Sequence, residues 1–309
     1  MKKLLKLIPF LFLSASCTIN SSVTQTNGLN PKSAITILDE QSLIYPYKNN
    51  IPFSEISDLS YDEKNHRLYM IGDKGNFYIF YAKFKDKIEA LSYLSAYKIK
   101  GKKKKHSKYD TEGLTHDNKG NLYVSFEGHP RIASISKKGY LRKNYKLTRE
   151  LKNKKNYRSR NKIFESLAWH KKYGLLTVAE FPLHRKKTTQ QTVYSLKGKK
   201  WNFKAEKYRN SAVTAIEVMD DNNLLILERA FTGIFEPMHI TLKKLYLNKC
   251  NKNHLYKTEV LTTFTGQIGL NISNYEGLAK VGKNRYIMIS DNNNKALLST
   301  KLIYFKVNK

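Results

Sequence analysis

Polar, Gly- and Asn-containing turns interrupt short apolar runs along the whole chain, and the 3.6-residue spacing of an amphipathic helix is nearly absent. The pattern is clearest at residues 110–132, DTEGLTHDNKGNLYVSFEGHPRI. An alternating run through Leu114 and His116 turns over Asp117-Asn118-Lys119-Gly120-Asn121 and returns as residues 122–126. Asn, Asp and Gly tolerate the positive φ angles of tight turns, so the segment predicts a β-hairpin. Its strands run antiparallel, which sets Glu112, at the start of the first, beside Glu127, at the end of the second. Two carboxylates brought together are costly without a cation, a hydrogen-bond network or a shared proton.

Four further segments repeat this one. Residues 56–75 hold Leu59 and the closing acid Asp73, and residues 163–182 hold Glu165, Leu167 and Glu180. Residues 213–231 hold Ile216 and Glu228, with Thr214 in place of the first acid, and residues 275–294 hold Glu276, Leu278 and Asp291. Counted from Leu59, Leu114, Leu167, Ile216 and Leu278, the closing acid falls 12 to 14 residues later, and the units lie 49 to 62 residues apart. A period of this size, built from strand pairs, predicts an all-β β-propeller with one blade per unit. Five repeats are visible. The wide spacing between the fourth and fifth leaves room for a degenerate sixth, so six blades are expected. Strand candidates at 34–38 and 42–45 precede the first unit, and one of them is expected to pair with residues 299–305 and close the ring.

Composition alters the picture at the surface. The 309 residues suffice for one large all-β domain, and 56 Lys+Arg against 25 Asp+Glu give a formal charge of +31. A Lys- and Asn-rich chain is what a biased genome composition produces. It is also what attraction to a polyanionic partner or an anionic membrane surface would use, with nucleic acid the less expected partner. Two lysine-rich stretches, 100–108 and 151–162, each enter an inner hairpin just before its first acid. Both are therefore expected over one rim.

The N-terminus has the form of a targeting segment. Lys2 and Lys3 precede a largely apolar run at 4–13, too short to span a bilayer, and Leu13-Ser14-Ala15-Ser16 then precedes Cys17. That tetrapeptide resembles a bacterial lipoprotein box, with Ser14 where Leu is usual. The expected organisation is a signal peptide at 1–17 with lipidation of Cys17, a polar tether at 18–33 and a propeller at 34–309. The protein is then an exported outer-membrane or periplasmic lipoprotein, a monomer, with free secretion as the alternative. Cys250 is left without an intramolecular partner and is expected to be a partly buried structural thiol.

Several chemistries are excluded. The chain holds no GxSxG, HExxH or CxxC, and Tyr256 stands where a phosphatase loop around Cys250 would need Arg. Residues 277–284, GLAKVGKN, lack the Ser/Thr of a phosphate-binding loop, and residues 291–294, DNNN, belong to no complete EF-hand. The carboxylates remain. If each hairpin lies nearest the axis, Glu112, Glu127, Glu165, Glu180, Glu228, Glu276, Asp73 and Asp291 gather at one rim. Hard cations with oxygen ligands, calcium first, would compensate them. In that reading Glu112, Glu165 and Glu276 are the candidate catalytic residues, and Glu127, Glu180, Glu228, Asp291 and Asp73 the candidate metal ligands. Arg131 and Arg229 would hold a phosphate bidentately. Alternatively these arginines and Lys74 neutralise the acids, and the carboxylates accept backbone N–H bonds from neighbouring blades.

The segments ISDLSYDEKNHRLYMIGDKG, DTEGLTHDNKGNLYVSFEGHPRI, FESLAW, LLILERAF and YEGLAKVGKNRYIMISDNN together resemble the bacterial phytase-like family, also called the esterase-like activity of phytase family. The resemblance runs over roughly residues 50–307. It implies an exported β-propeller and suggests hydrolysis of phosphate esters or related esters. Calcium at an acidic rim is how β-propeller phytases proper bind phosphate, but their own motifs are not matched here residue by residue. GDKG in place of SDRG and FES in place of FEG are departures in the first and third repeats. The alternative function is a non-catalytic envelope propeller that binds a polyanion, and a lactonase-like propeller is a third. Export has its own test: Cys17→Ser is expected to release the protein from the membrane fraction, and a processed Cys17→Ser protein that stays membrane-bound would refute lipidation.

Overall fold

The computed structural model describes residues 33–101, 109–159, 162–293 and 299–308. The expected signal peptide, Cys17, most of the tether and all but the first two residues of the first lysine-rich stretch lie outside these residues. The chain opens with β1 (Ile35–Leu43) and then builds four-stranded antiparallel sheets in sequence order. Blade one is β2 (Ile56–Asp62), β3 (Arg67–Gly72), β4 (Asn76–Phe84) and β5 (Ile88–Lys98). Blade two is β6 (Thr111–His116), β7 (Leu122–Phe126), β8 (Arg131–Ile135) and β9 (Leu141–Asn144). Blade three follows a short capped helix, α1 (Arg149–Lys152), and comprises β10 (Ser166–His170), β11 (Gly174–Val178), β12 (Gln190–Ser195) and β13 (Lys200–Lys204). Blade four is β14 (Ser211–Val218), β15 (Leu224–Ala230), β16 (Met238–Cys250) and β17 (Tyr256–Gly266). Blade five takes β18 (Asn274–Gly282), β19 (Arg285–Asp291) and β20 (Thr300–Val307) from the C-terminal part and β1 as its outer strand. Ile35 pairs with Val307 and Leu43 with Thr300, so the ring closes through a single continuous strand rather than one of two short ones.

The blades number five, not six. The extra length after the fourth repeat enters the long outer hairpin of blade four, 13 residues in β16 and 11 in β17, and the loop 267–273. Cys250 ends β16 and is exposed, so the expected partly buried thiol is also corrected. The near phosphate-binding loop at 277–284 is strand, turn and strand. Among the described residues, no helix is long and apolar enough to cross a membrane.

The second strand of each blade is apolar on both faces because both are covered. Leu68 and Met70 of β3 pack towards blade five, while Tyr69 and Ile71 pack towards blade two. In β15, Leu225 and Leu227 face blade five, and Leu224 and Ile226 face blade three. A half-exposed strand would alternate; these do not, and the core is divided into clusters at the seams between neighbouring blades.

At the axis the inner strands meet through one carboxylate. Asp58 of β2 is 1% exposed. Its Oδ1 accepts the N–H of Leu59 (2.8 Å) and of Leu278 in β18 (3.4 Å). Its Oδ2 accepts the N–H of Leu114 in β6 (2.9 Å) and the hydroxyl of Ser166 in β10 (3.2 Å). Ser166 Oγ in turn accepts the N–H of Ile216 in β14, at 3.2 Å. All five inner strands are thus joined. The matching positions are small: Gly113, Ser166, Ala215 and Gly277. A Cβ on Gly113 would lie 2.5 Å from Ser125 Oγ and 2.7 Å from Leu167 N, and one on Gly277 would lie 3.0 Å from Asp58 Cα. Asp58→Ala would leave these buried donors without an acceptor. It is expected to cost at least about 3 kcal/mol, roughly 6–12 °C in Tm for a domain of this size. A thermal melt within experimental error of wild type would show that the axial bonds do not hold the ring.

Candidate functional site

The residue before each axial position is bulged out of its ladder. Asp58 pairs with Ile71 directly after Ile56 pairs with Gly72, which leaves Ser57 unpaired, and Glu112, Thr214 and Glu276 fall in the same irregularity in β6, β14 and β18. In blade three Glu165 immediately precedes β10, with its N–H on Val178 O. A bulge adds a residue without a partner and re-aims its side chain. It frees Glu112 and Glu276 from the alternation that sends Leu114 and Leu278 into the core. The closing acids stand at the matching ends of the second strands, on the same side of the ring.

The carboxylates that come together are Glu112, Glu165 and Glu276 with Asp73, Glu127, Glu180 and Asp291. Asp110 joins them. One oxygen each of Asp73, Asp110 and Glu112 lie within 4.8 Å of one another. Glu112 and Glu165 are half-buried, and among the described residues neither accepts a side-chain hydrogen bond. Burial pushes the pKa of Glu112 well above the carboxylate range, and Glu165, Asp73, Glu127 and Glu276 add to the effect. Glu165 is likewise raised by burial and by Glu180, Glu127 and Glu276, with Arg229 opposing. Burial lifts Glu127 to about 8, against the N–H of Ile163 that bonds its Oε1 at 3.2 Å. Burial and Glu276 lift Asp291 to about 7. Burial, with Glu276 and Asp110, lifts Asp73 to about 6, although Ser57 Oγ donates to its Oδ1 at 2.8 Å.

The other side of the mouth is neutralised internally. Arg229 Nη1 donates to Glu276 Oε1 and to Asn274 Oδ1 (2.5 Å), and Nη2 reaches Glu180 Oε1 at 3.4 Å. Burial works against its charge, yet Glu276, Glu180 and Glu165 hold the guanidinium above its ordinary range. Lys162, from the second lysine-rich stretch, donates to both oxygens of Glu180 at 3.0 and 2.8 Å. That stretch does reach the mouth, and Arg158 ties it to the carbonyls of Pro182 and Lys186 at 2.7 and 2.9 Å.

Three of the expected site residues stand apart from this arrangement or are already engaged. Glu228 is 1% exposed; it forms an ion pair with fully buried Lys243 and accepts the N–H of Glu206 and the hydroxyl of Ser211, at 2.8 and 2.9 Å. Arg131 lies over the rings of Phe126 and Tyr109, 3.9 and 5.5 Å from their centroids, rather than beside Arg229. Lys74 pairs with Glu55 at 2.6 Å and not with a closing acid; both residues have positive φ, 63° and 53°, and Glu55 O accepts the N–H of Asp73. Asp291 Oδ1 caps Asn293 N at 2.7 Å, while Asn292 Oδ1 accepts the N–H of Glu55 at 3.1 Å. Asn292 therefore joins blade five to the loop that enters blade one. Asp110 and Asn274 escape the sequence reading because neither occupies a repeated acid position, and Ser57 because it stands at one without being an acid.

Comparison with known proteins follows the geometry. No curated protein sequence matches the chain significantly. Among solved structures, a luciferin-regenerating enzyme is similar at 10% identity and a TM-score of 0.44, covering 82% of this chain and 92% of that one. A protein of unknown function from Bacteroides caccae has 10% identity and a TM-score of 0.40, with coverage of 79% and 72%. Virginiamycin B lyase from Staphylococcus aureus has 10% identity and a TM-score of 0.36, with coverage of 88% and 99%. Likenesses this distant carry no functional argument. The family model described as phytase-like, esterase-like activity of phytase, matches residues 51–294, and the chain belongs to that family.

Proposed function

We propose that the mouth is a calcium-assisted hydrolytic site for phosphate esters or related esters, in an exported protein anchored at the bacterial envelope through Cys17. One observation carries the reading: the carboxylates of Asp73, Asp110 and Glu112 converge at one side of the mouth, with Glu165 acting on Glu112 from beside them. The donor set fits the ion, being all carboxylate oxygen, with three of the oxygens within 4.8 Å of one another. Asp73, Asp110 and Glu112 would hold it, with Glu127 and Asp291 flanking. When bound, calcium supplies positive charge against the negative charge that develops on the ester's oxygens. Glu165, whose carboxyl burial pushes above its ordinary range, would give a proton to the leaving oxygen. Glu276 and Asn274 orient Arg229, whose guanidinium stabilises an anion at the neutralised side. A non-catalytic binding propeller is the second reading. The ion pairs of Arg229 and Lys162 with Glu180 and Glu276 favour it, because they make that half of the rim self-compensating.

Proton and metal binding should compete at this mouth. As pH rises from about 4, the unfolded chain releases its carboxyl protons first, while the folded chain holds those of Asp73, Asp291 and Glu127 until about 6, 7 and 8. The folded state binds more protons across that window, so its stability without metal should fall as pH rises. Calcium at a hundred times its dissociation constant should restore about 2.7 kcal/mol, and the gain should grow with pH. Melting curves with calcium or chelator at several pH values test this, and a melt that never responds to calcium would sink the metal reading.

Glu112→Gln keeps the shape and removes one charge. In chelator it should raise the melting temperature at pH 8 by relieving repulsion. With calcium it should lower affinity and any turnover of p-nitrophenyl phosphate or an aryl ester together, by at least about tenfold. Calcium binding without turnover of either ester would favour the binding propeller.

A further inference from the structure

Apolar side chains stand out beside the mouth on the blade four side. Phe235 is 87% exposed, Leu270 85% and Ile234 64%. Ile234 and Phe235 tip the loop between β15 and β16, and Leu270 tips the loop from β17 to β18. The loops are joined, since Gln267 Nε2 donates to Phe235 O at 3.4 Å. Each is also held from within. Gln267 N bonds Asn271 Oδ1 at 2.7 Å, Glu236 N bonds Gly233 O at 3.2 Å, and Phe231, Ile268 and Ile272 pack into the seam between blades four and five. Leu270 further lines a small cleft with Asn274 and Asp291, so this lip adjoins the acidic mouth. On the blade three side of the same face, Lys152, Lys154, Lys155 and Arg185 are exposed on two loops tied by the His184 N–H to Asn156 O bond, at 2.8 Å.

We propose that this face seats on a lipid bilayer bearing anionic headgroups, with Ile234, Phe235 and Leu270 entering the headgroup–acyl boundary and the lysines lying over the headgroups. Shape selects the occupant. A small apolar ligand is held in a concavity, whereas these tips project from the surface. A stable protein interface buries about 800 Å² on each partner, more than three loop tips supply. Apolar tips with cations on the same face match the boundary of an anionic membrane, where each lysine strengthens binding about fivefold. The inference stands apart from the hydrolase reading, since a catalytically silent protein would dock in the same way.

The test uses the full chain and vesicles of phosphatidylcholine with or without phosphatidylglycerol, carrying brominated acyl chains. Phe235→Trp should be quenched on the anionic vesicles, measured as the difference from wild type, which already holds Trp169 and Trp201. Asn118→Trp, on the turn between β6 and β7 at the opposite face, should not be quenched. Vesicle affinity should fall at least tenfold in the triple variant Ile234→Ser, Phe235→Ser, Leu270→Ser. Lys154→Gln with Lys155→Gln should cost about twentyfold, and only on anionic vesicles. Equal quenching at positions 118 and 235, no quenching at 235, or unchanged affinity of the folded triple variant would each overturn the proposal. So would lysine-dependent binding to soluble polyphosphate but not to vesicles.

Discussion

The ring depends on how Asp58 resolves a problem common to inner propeller strands. Each has a free edge towards the axis, and its N–H groups need acceptors that water cannot supply in a closed channel. Asp58 accepts from two N–H groups across the axis, its own neighbour's N–H and the Ser166 hydroxyl, and Ser166 passes the link to the fifth strand. The arrangement requires near contact, which explains why the other axial positions are Gly113, Ser166, Ala215 and Gly277. Burial pushes the Asp58 carboxyl well above its ordinary pKa, against the pull of the N–H donors from Leu114, Leu59 and Leu278. This cost is tolerated because the alternative leaves several buried donors unmade, which costs more. The plug also gives the acidic mouth a floor.

Departures from the repeat divide the mouth into two unlike halves. Where blade four replaces the first acid by Thr214, Arg229 follows the closing acid, and its guanidinium enters the mouth to pair with Glu276 and Glu180. Glu180 of blade three and Glu276 of blade five are thereby compensated. Blades one and two have no such arginine: Lys74 turns to Glu55, and Arg131 lies over Phe126. Like-charge repulsion is concentrated where Asp73, Asp110 and Glu112 bring three carboxylate oxygens within 4.8 Å of one another, which is why the proposed chemistry is placed there.

Much of the fold was legible because the repeat is carried by backbone needs. Leu59, Leu114, Leu167, Ile216 and Leu278 must face the seams, and the turns need Asn and Gly, so hairpins, polarity and order were visible along the chain. Blade number was less legible, since length alone does not tell a long outer hairpin in β16 and β17 from a degenerate blade. At the mouth, position in the repeat found the acids but not their partners. Glu228 occupies the same repeat position as Glu127, yet Lys243, on the neighbouring strand β16, takes it into the core. Asp110 was missed because its contribution comes from the loop before the strand. A sharper signal was available in FES: Ser166 is the only hydroxyl in the axial column and Asp58 its only charge, an oddity that marks them as a pair.

The charge of the whole chain and that of the mouth act over different distances. A net charge of +31 would by itself lower carboxylate pKa values, yet Asp73, Asp291 and Glu127 are raised to about 6, 7 and 8. Lysines on outer turns are screened beyond roughly 10 Å at 0.1 M salt, whereas the rim oxygens interact near contact and are shielded from water. Burial and mutual repulsion therefore win locally. In the proposed reading, long-range attraction would bring an anionic ester or surface towards this face, where the clustered carboxylates would repel it. Protons or a cation on Asp73, Asp110 and Glu112 would remove that repulsion, so the proposed hydrolysis needs one or the other in place before the substrate arrives.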